Sequence, residues 1–466
     1  GWTRGENNVW TADLPEVREG KWSFRQLFVD GEKATRARIP NEGFLTVAGF
    51  PEGTSKTTHY HTDCKSFEYA PGDIDPNWHN LNDVEVIVYH FWTDSHLPIA
   101  KVDDEKHIIT FKHKAGKVFT DDFTTDGARY IVENVLEGLD RPGEWYLDKK
   151  AGRIHLMLEE GQDPNTMEIV APVAPALLVI KGDPMKGELV ENIKFHDIGF
   201  QHTNFELPPG NSNDRQGSAS VTAAVQISGA RDIDFTMCRF ENLGGWAIDL
   251  GNGSRDCGIG ICDFKHIGAG AIRVDGAPVD GDPRLRTCNN DIDANTITHY
   301  GDEFPSAVGV LLMNTSDNDV HNNEISYGYY TGISVGWVWG YGRSAAHHNR
   351  ISFNHIHHIG QGLLSDMGGI YTLGVSPGTV LSNNLIHDVD ANQYGGWGIY
   401  NDEGSSYILI ENNIVYNTKF AAYNIHFAKE VTVRNNIFAM GRLEQLSRSR
   451  VEPHKSCYFE NNIIYW

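Results

Sequence analysis

The chain has 466 residues, 40% of them hydrophobic, which suffices for a large core and two domains, and its 48 glycines and 11% aromatic content fit a turn-rich β protein. A formal net charge of −23 and a pI near 5.3 argue against phosphate-backbone partners, because an acidic surface repels nucleic acid and anionic lipid alike. No apolar run is long enough for a membrane-spanning helix, so neither nucleic acid nor membrane is an expected partner.

The first stretch, residues 1–175, shows short polar–apolar strands between Gly, Pro and Asp turns: Arg25 to Gly31, Val84 to Tyr89, and Gly143 to Asp148 leading through Gly152 to Arg153–Leu156. This pattern predicts a β-sandwich domain, of the kind that contributes a wall to a groove beside a second domain. Within it His59-Tyr60-His61 puts two imidazoles on one strand face, but no third ligand is identifiable and no metal site is expected. Pro172 and Pro175 then precede Leu177–Ile180, where the second domain, 176–466, begins.

That second domain repeats the phrase Asn-x-Ile or a close variant, with Asn at 295, 323, 354, 384, 412, 435 and 461, once every 23 to 31 positions. Such a period marks a solenoid. Apolar residues flank each Asn with period two, as in Val431–Phe438, so the repeating unit is a set of short strands, and the stack is expected to be an all-β right-handed parallel β-helix. A buried amide at one phase of each coil can bond both the bend and the same amide in the next coil. Upstream, Cys238-x-Phe240 and Cys262-x-Phe264 occupy that phase, and His196-x-Ile198 marks an earlier coil. Six cysteines are too sparse for a disulfide scaffold and show no CxxC spacing; buried thiols are expected, with a Cys238–Cys262 bridge as the alternative. The phrase at residues 461–466 stops within a coil, which predicts a cap missing from this chain or supplied by a partner.

Aligned by their Gly-Ile-Tyr phrases, Tyr371, Tyr400 and Tyr423 form a column on the outward face, a surface suited to sugar C–H stacking. Asp366 precedes one of these strands and Asp402 with Glu403 ends the next. Coils stacked roughly 4.8 Å apart can bring such carboxyls to the roughly 5 to 10 Å separation of glycosidic hydrolysis. These three are the candidate catalytic residues, one protonating the leaving oxygen and another attacking or activating water. His426 lies one coil beyond at nearly the same phase, and Trp337, Trp339 and Trp397 are candidate subsite walls. His357 and His387 share a coil phase and read as a stacked ladder. Asp317, Asn318 and Asp319 offer oxygens but no ordered calcium loop, so no cofactor is expected to be required.

The runs SDMGGIYTLGVSPGTV, GGWGIYNDEGSS and PGEWYLDKKAGRIHL resemble right-handed β-helix proteins of glycoside hydrolase family 141, and more distantly family 120, over nearly the whole chain. The resemblance implies a secreted enzyme, extracellular or periplasmic with its signal segment already removed. It further implies hydrolysis of glycosidic bonds in plant or algal cell-wall polysaccharide or its oligosaccharides, with α-L-fucosidase and xylanase activities both found among such proteins, and Asp366 and Asp402 as the catalytic pair. A polysaccharide lyase on the same fold, which would need a strong base and a group neutralising a uronate, and a non-catalytic glycan-binding solenoid are the rival readings.

Overall fold

Alternating apolar residues form strands in both halves of the chain, and the halves differ in how those strands pair. The computed structural model describes residues 1–54, 58–123, 127–205, 207, 210 and 215–466. Two compact units result: Gly1–Ala174 with Asn204–Arg215, and Pro175–Thr203 with Gln216–Trp466.

In the first unit pairing is mostly antiparallel, as short turns between neighbouring strands require. Glu144–Asp148 and Arg153–Met157 form a hairpin inside a five-stranded sheet, while Glu85–His90, Thr93–Asp103 and Ile108–Ala115 run consecutively through a seven-stranded one. The Arg25–Gly31 stretch yields only the short strand Phe28–Val29, which turns at Asp30 and Gly31 into Glu32–Lys33. Trp145 stacks on Phe24 at 5.3 Å, and Trp10, Leu147, Ile154 and Leu156 complete that core. Burial alone would raise the Glu85 carboxyl, but Arg25 and Arg36, at 2.5 and 2.6 Å, together hold it below the usual carboxylate range.

In the second unit each coil contributes one strand to each of three parallel ten-stranded sheets. The first sheet runs from Leu178–Lys181 to Glu444–Arg448, the second from Val190–His196 to Cys457–Glu460, and the third from Gly199–Thr203 to Ile463–Tyr465. Side chains of like phase stack along the core. Phe200, Phe240 and Phe264 lie at 4.9 and 4.7 Å with nearly parallel rings, and Ile297, Ile325, Ile356, Ile386, Val415 and Phe438 continue the column.

The amide ladder exists, with its phase corrected at three coils. Each rung donates its backbone N–H and side-chain Nδ2 to the Oδ1 of the next, through Asn295, Asn323, Asn354, Asn384, Asn413, Asn436 and Asn462, at 2.9–3.1 Å. Asn412, Asn435 and Asn461 are instead the residues just before the rung, with φ of 58°, 55° and 54°. Asn tolerates that left-handed backbone better than most residues, so an Asn-Asn pair places one amide in the bend and the next in the core. The earliest coil also shifts: Phe200 pairs with Phe240, so its phrase is Ile198-Gly199-Phe200 and not His196-x-Ile198. A second ladder, Asn290–Asn318–Asn349, lines another corner, and the burial of Asn318 within it removes the middle oxygen from any calcium loop at Asp317–Asp319. All six cysteines are free thiols, so the Cys238–Cys262 bridge is not formed. Cys262 does hold the ladder phase, its N–H donating to Asn295 Oδ1 at 3.0 Å.

Candidate active site

Strands Gly368–Thr372 and Trp397–Asn401 are parallel neighbours in the first sheet, which sets Tyr371 beside Tyr400. Alternation sends Ile370, Thr372, Ile399 and Asn401 into the core and both tyrosines outward. The expected exposed aromatic strip is not present: Tyr371 and Tyr400 are 4% and 3% exposed, because Leu373, Trp397, Tyr394 and Phe420 pack against them. Their rings meet edge-on at 5.2 Å, so the phenols offer hydroxyls and not stacking faces.

Those hydroxyls gather the two aspartates. Asp402, two residues past Tyr400, accepts from the Tyr371 hydroxyl at 2.6 Å. The Tyr400 hydroxyl lies 2.9 Å from Asp402 Oδ1 and 3.0 Å from Asp366 Oδ1. Contacts of that length to one atom bound the separation of the two Oδ1 atoms at about 6 Å. Burial first, and the neighbouring carboxylates next, push both phenols well above their ordinary value, so both keep their protons and remain donors. The Gln216 side chain donates to the Tyr371 oxygen at 3.2 Å.

Asp366 reaches this point through a bend. It has φ 59°, a conformation Asp accepts more readily than most residues. Its N–H donates to the Tyr394 carbonyl at 2.9 Å, and its carbonyl accepts from the Tyr330 hydroxyl at 2.7 Å. Gly395, at φ 91°, lets the neighbouring coil come this close: a Cβ there would meet the Asp366 nitrogen at 2.7 Å.

Behind Asp402 runs a buried polar chain. Tyr423 donates to Asn401 Oδ1 at 2.7 Å, Asn401 Nδ2 donates to Thr372 Oγ1 at 2.8 Å, and Thr372 Oγ1 lies 2.8 Å from Ser405 Oγ. The Ser405 N–H donates to the Asp402 carbonyl at 2.9 Å, closing the turn that carries the acid. Tyr423 is therefore not the third member of an outward column. Its register partner is Ile399, its ring stacks on Phe438, and it faces the core. The sequence signal for this chain was polar residues at inward positions of strands, Thr372 and Asn401, which a β-helix core otherwise fills with aliphatics.

The remaining candidates divide. Trp397 stands 4.3 Å from Tyr400 ring to ring, and its buried Nε1 finds no acceptor among the described residues. Trp337 lines a small cavity with Gln216, Tyr330 and Tyr371, and Trp339, 47% exposed, packs edge-on against it at 5.3 Å. His426 donates its N–H to the Asn401 carbonyl and sets its ring beside Ser449, 2.8 Å from Nδ1. Burial lowers its imidazole although the Asp402 charge opposes the shift. Glu403 turns to Arg450 at 3.4 Å, and burial with the charge of Asp402 raises its carboxyl. Among the described residues it shares no hydroxyl with the aspartate pair, so it stands beside that pair and not within it. In the first unit the His59 and His61 rings lie 5.8 Å apart, and burial, Lys117 and His59 lower His61 to about 4.

Residues 7–158 match the family model described as the GH141 insertion domain, and residues 223–366 match the right-handed β-helix region. The chain thus carries a GH141 insertion domain followed by a right-handed β-helix region. A solved structure of a glycoside hydrolase matches this chain in fold, with a TM-score of 0.79 and 22% identity over 99% of this chain and 81% of that one. The complex of XylC with xylose aligns at a TM-score of 0.48 and 12% identity, over 100% of this chain and 73% of that one. A tailspike protein of E. coli bacteriophage HK620 in complex with a pentasaccharide aligns at 0.41 and 14%, over 60% and 48%. At such scores neither of these two bears on the chemistry of this chain. No curated protein sequence matches it.

Proposed function

We propose that the chain hydrolyses glycosidic bonds in oligosaccharides of plant or algal cell walls, in a fucosidase-like or xylosidase-like manner, with Asp366 as acid and Asp402 as the ionised partner. One observation carries the assignment: both carboxyls face a single phenolic oxygen, and that phenol has one hydrogen to give. Asp402 also receives the Tyr371 hydrogen at 2.6 Å, a much closer donor than the Tyr394 hydroxyl that faces Asp366 Oδ2 at 3.5 Å, so it is the better-stabilised anion of the pair. The contact between Tyr400 and Asp366 is then satisfied when Asp366 itself carries a proton and donates it. An acid and an anion side by side are what the reaction uses.

In this reading the Asp366 proton passes to the glycosidic oxygen as the bond to the anomeric carbon breaks. The close approach of the pair favours the retaining course, since retaining carboxyls sit about 5 to 5.5 Å apart and inverting ones farther. Asp402 then bonds to the anomeric carbon, and water, giving its proton to Asp366, releases the sugar. The Trp397 ring stands 4.3 Å from that of Tyr400, and its Nε1, without an acceptor among the described residues, is a candidate donor to a substrate hydroxyl. Paired carboxyls repel a uronate, which disfavours the lyase reading.

The test is a panel of aryl glycosides and cell-wall glycans assayed for new reducing ends and for the ultraviolet absorbance of an unsaturated sugar. Reducing ends without absorbance, lost in Asp366→Asn and Asp402→Asn, support the reading. Wild-type turnover in both variants on a cleaved substrate would overturn the site.

A further inference from the structure

The outer face of the third sheet carries a second cluster of chemical groups, on strands Glu324–Ser326, His355–Ile359 and Leu385–Val389. Ile325, Ile356 and Ile386 point inward and are fully buried, so the residues flanking them point out. His355 and His357, two apart on one strand, share that face. Glu324 lies opposite His355 on the preceding rung and His387 opposite His357 on the following one.

The imidazoles converge by their nitrogens. His355 Nε2 is 2.9 Å from His387 Nε2, and His357 Nε2 is 3.3 Å from Glu324 Oε1. One coordinating atom from each of Glu324, His355 and His357 lies within 4.8 Å of the others. The rings of His357 and His387 are parallel at 5.2 Å, and Tyr416 stacks on His387 at 4.7 Å, which limits their rotation. Asp388 Oδ2 is 2.6 Å from His387 Nδ1. A carboxylate there accepts the Nδ1 hydrogen and leaves the His387 Nε2 lone pair facing His355, the arrangement that a carboxylate imposes on a metal-ligating histidine.

We propose that Glu324, His355 and His357, with His387 as fourth donor and Asp388 as its orienting carboxylate, bind one divalent transition ion of the Zn²⁺ class. Imidazole donors with a single carboxylate select such an ion over Ca²⁺ or Mg²⁺, and four donors from rigid strands suit tetrahedral coordination. The ion would tie three consecutive coils together. The patch lies on the third sheet, apart from the aspartate pair of the first, so its role is structural and independent of the hydrolytic assignment.

The experiment titrates Zn²⁺ or Co²⁺ alone into the full chain after chelator treatment, by calorimetry and by the visible absorption of tetrahedral Co²⁺. One ion per chain is expected, with a rise in melting temperature. The His355→Gln/His357→Gln double variant should lose both the binding and the absorption. Asp388→Asn should weaken binding about 10–100-fold, as loss of an orienting carboxylate does. His347→Gln, in a separate His and Asp cluster, should change neither. Should the double variant be poorly folded without metal, Glu324→Gln, at an exposed carboxylate, replaces it and is expected to lose the tetrahedral Co²⁺ spectrum. Binding and spectra unaltered by removal of these side chains, or the absence of any stoichiometric site, would overturn the proposal.

Discussion

Asp366 and Asp402, on neighbouring coils, meet at one atom, the Tyr400 hydroxyl, at 3.0 and 2.9 Å. The phenol measures the distance between the acids and, having one hydrogen, couples their protonation: whichever carboxyl holds the proton determines which is the anion.

Removing that hydroxyl is therefore expected to harm turnover more than binding. In Tyr400→Phe the kcat should fall on the order of 100-fold, the scale on which one positioned donor contributes to catalysis, with KM little changed. Steady-state kinetics on a cleaved aryl glycoside measure this, and a change confined to KM would contradict it.

The two aspartates should respond differently to the leaving group. Asp366→Asn is expected to lose about 10²–10⁴-fold on substrates with poor leaving groups, the range for a general acid, and much less on dinitrophenyl glycosides, which need no protonation. Asp402→Asn should stay inactive on both. Azide added to Asp402→Gly should restore turnover and yield a glycosyl azide of inverted configuration, detectable by NMR.

Gly395 never touches substrate in this scheme, yet it shapes the site. Gly395→Ala forces a Cβ toward the Asp366 nitrogen and imposes an L side chain at φ 91°, so a destabilisation of about 1–3 kcal/mol is expected together with reduced kcat. Thermal melts and kinetics on the same preparation check both.

The ladder phase predicts unequal effects within one Asn-Asn pair. Asn413→Ala strands the Asn384 amide donors and removes bonds to the Leu381 and Glu411 carbonyls, at about 1–3 kcal/mol for each buried group left unpaired. Asn412→Gly, in the left-handed bend, should change stability by less than about 0.5 kcal/mol. Equal losses in the two variants would contradict this phase.

Acid should weaken the first unit in a defined window. His90 is fully buried, with Nδ1 2.8 Å from the Val118 carbonyl and Nε2 2.9 Å from Ser95 Oγ, and burial lowers it to about 4. The unfolded chain titrates near 6.5, so between about 6.5 and 4 it binds a proton the folded unit does not, and stability falls as pH falls by up to about 3 kcal/mol. Glu85, held below the carboxylate range, adds a further loss under more acidic conditions, as pH drops past its unfolded value toward its folded one. Hydrogen exchange of strand Glu85–His90 should show protection declining through the upper window in wild type and a flatter profile in His90→Gln.

The sequence alone determined the β-helix, because its signals are local and repeated. Period-two apolar alternation sets the strands, and an amide once per coil, as at Asn323, Asn354 and Asn384, sets the stacking. It also brought Asp366 and Asp402 forward, since one-coil spacing from a shared Gly-Ile-Tyr phrase survives folding unchanged. Three things were decided only by the tertiary structure. Which asparagine of Asn412-Asn413 enters the core depends on the backbone angle at the bend. Tyr423 faces inward because register pairs it with Ile399, which coil length obscures. Tyr371 and Tyr400 serve by their hydroxyls and not their ring faces because Trp397, Phe420 and Tyr394 cover them, and that cover comes from bends and strand ends whose positions no period encodes.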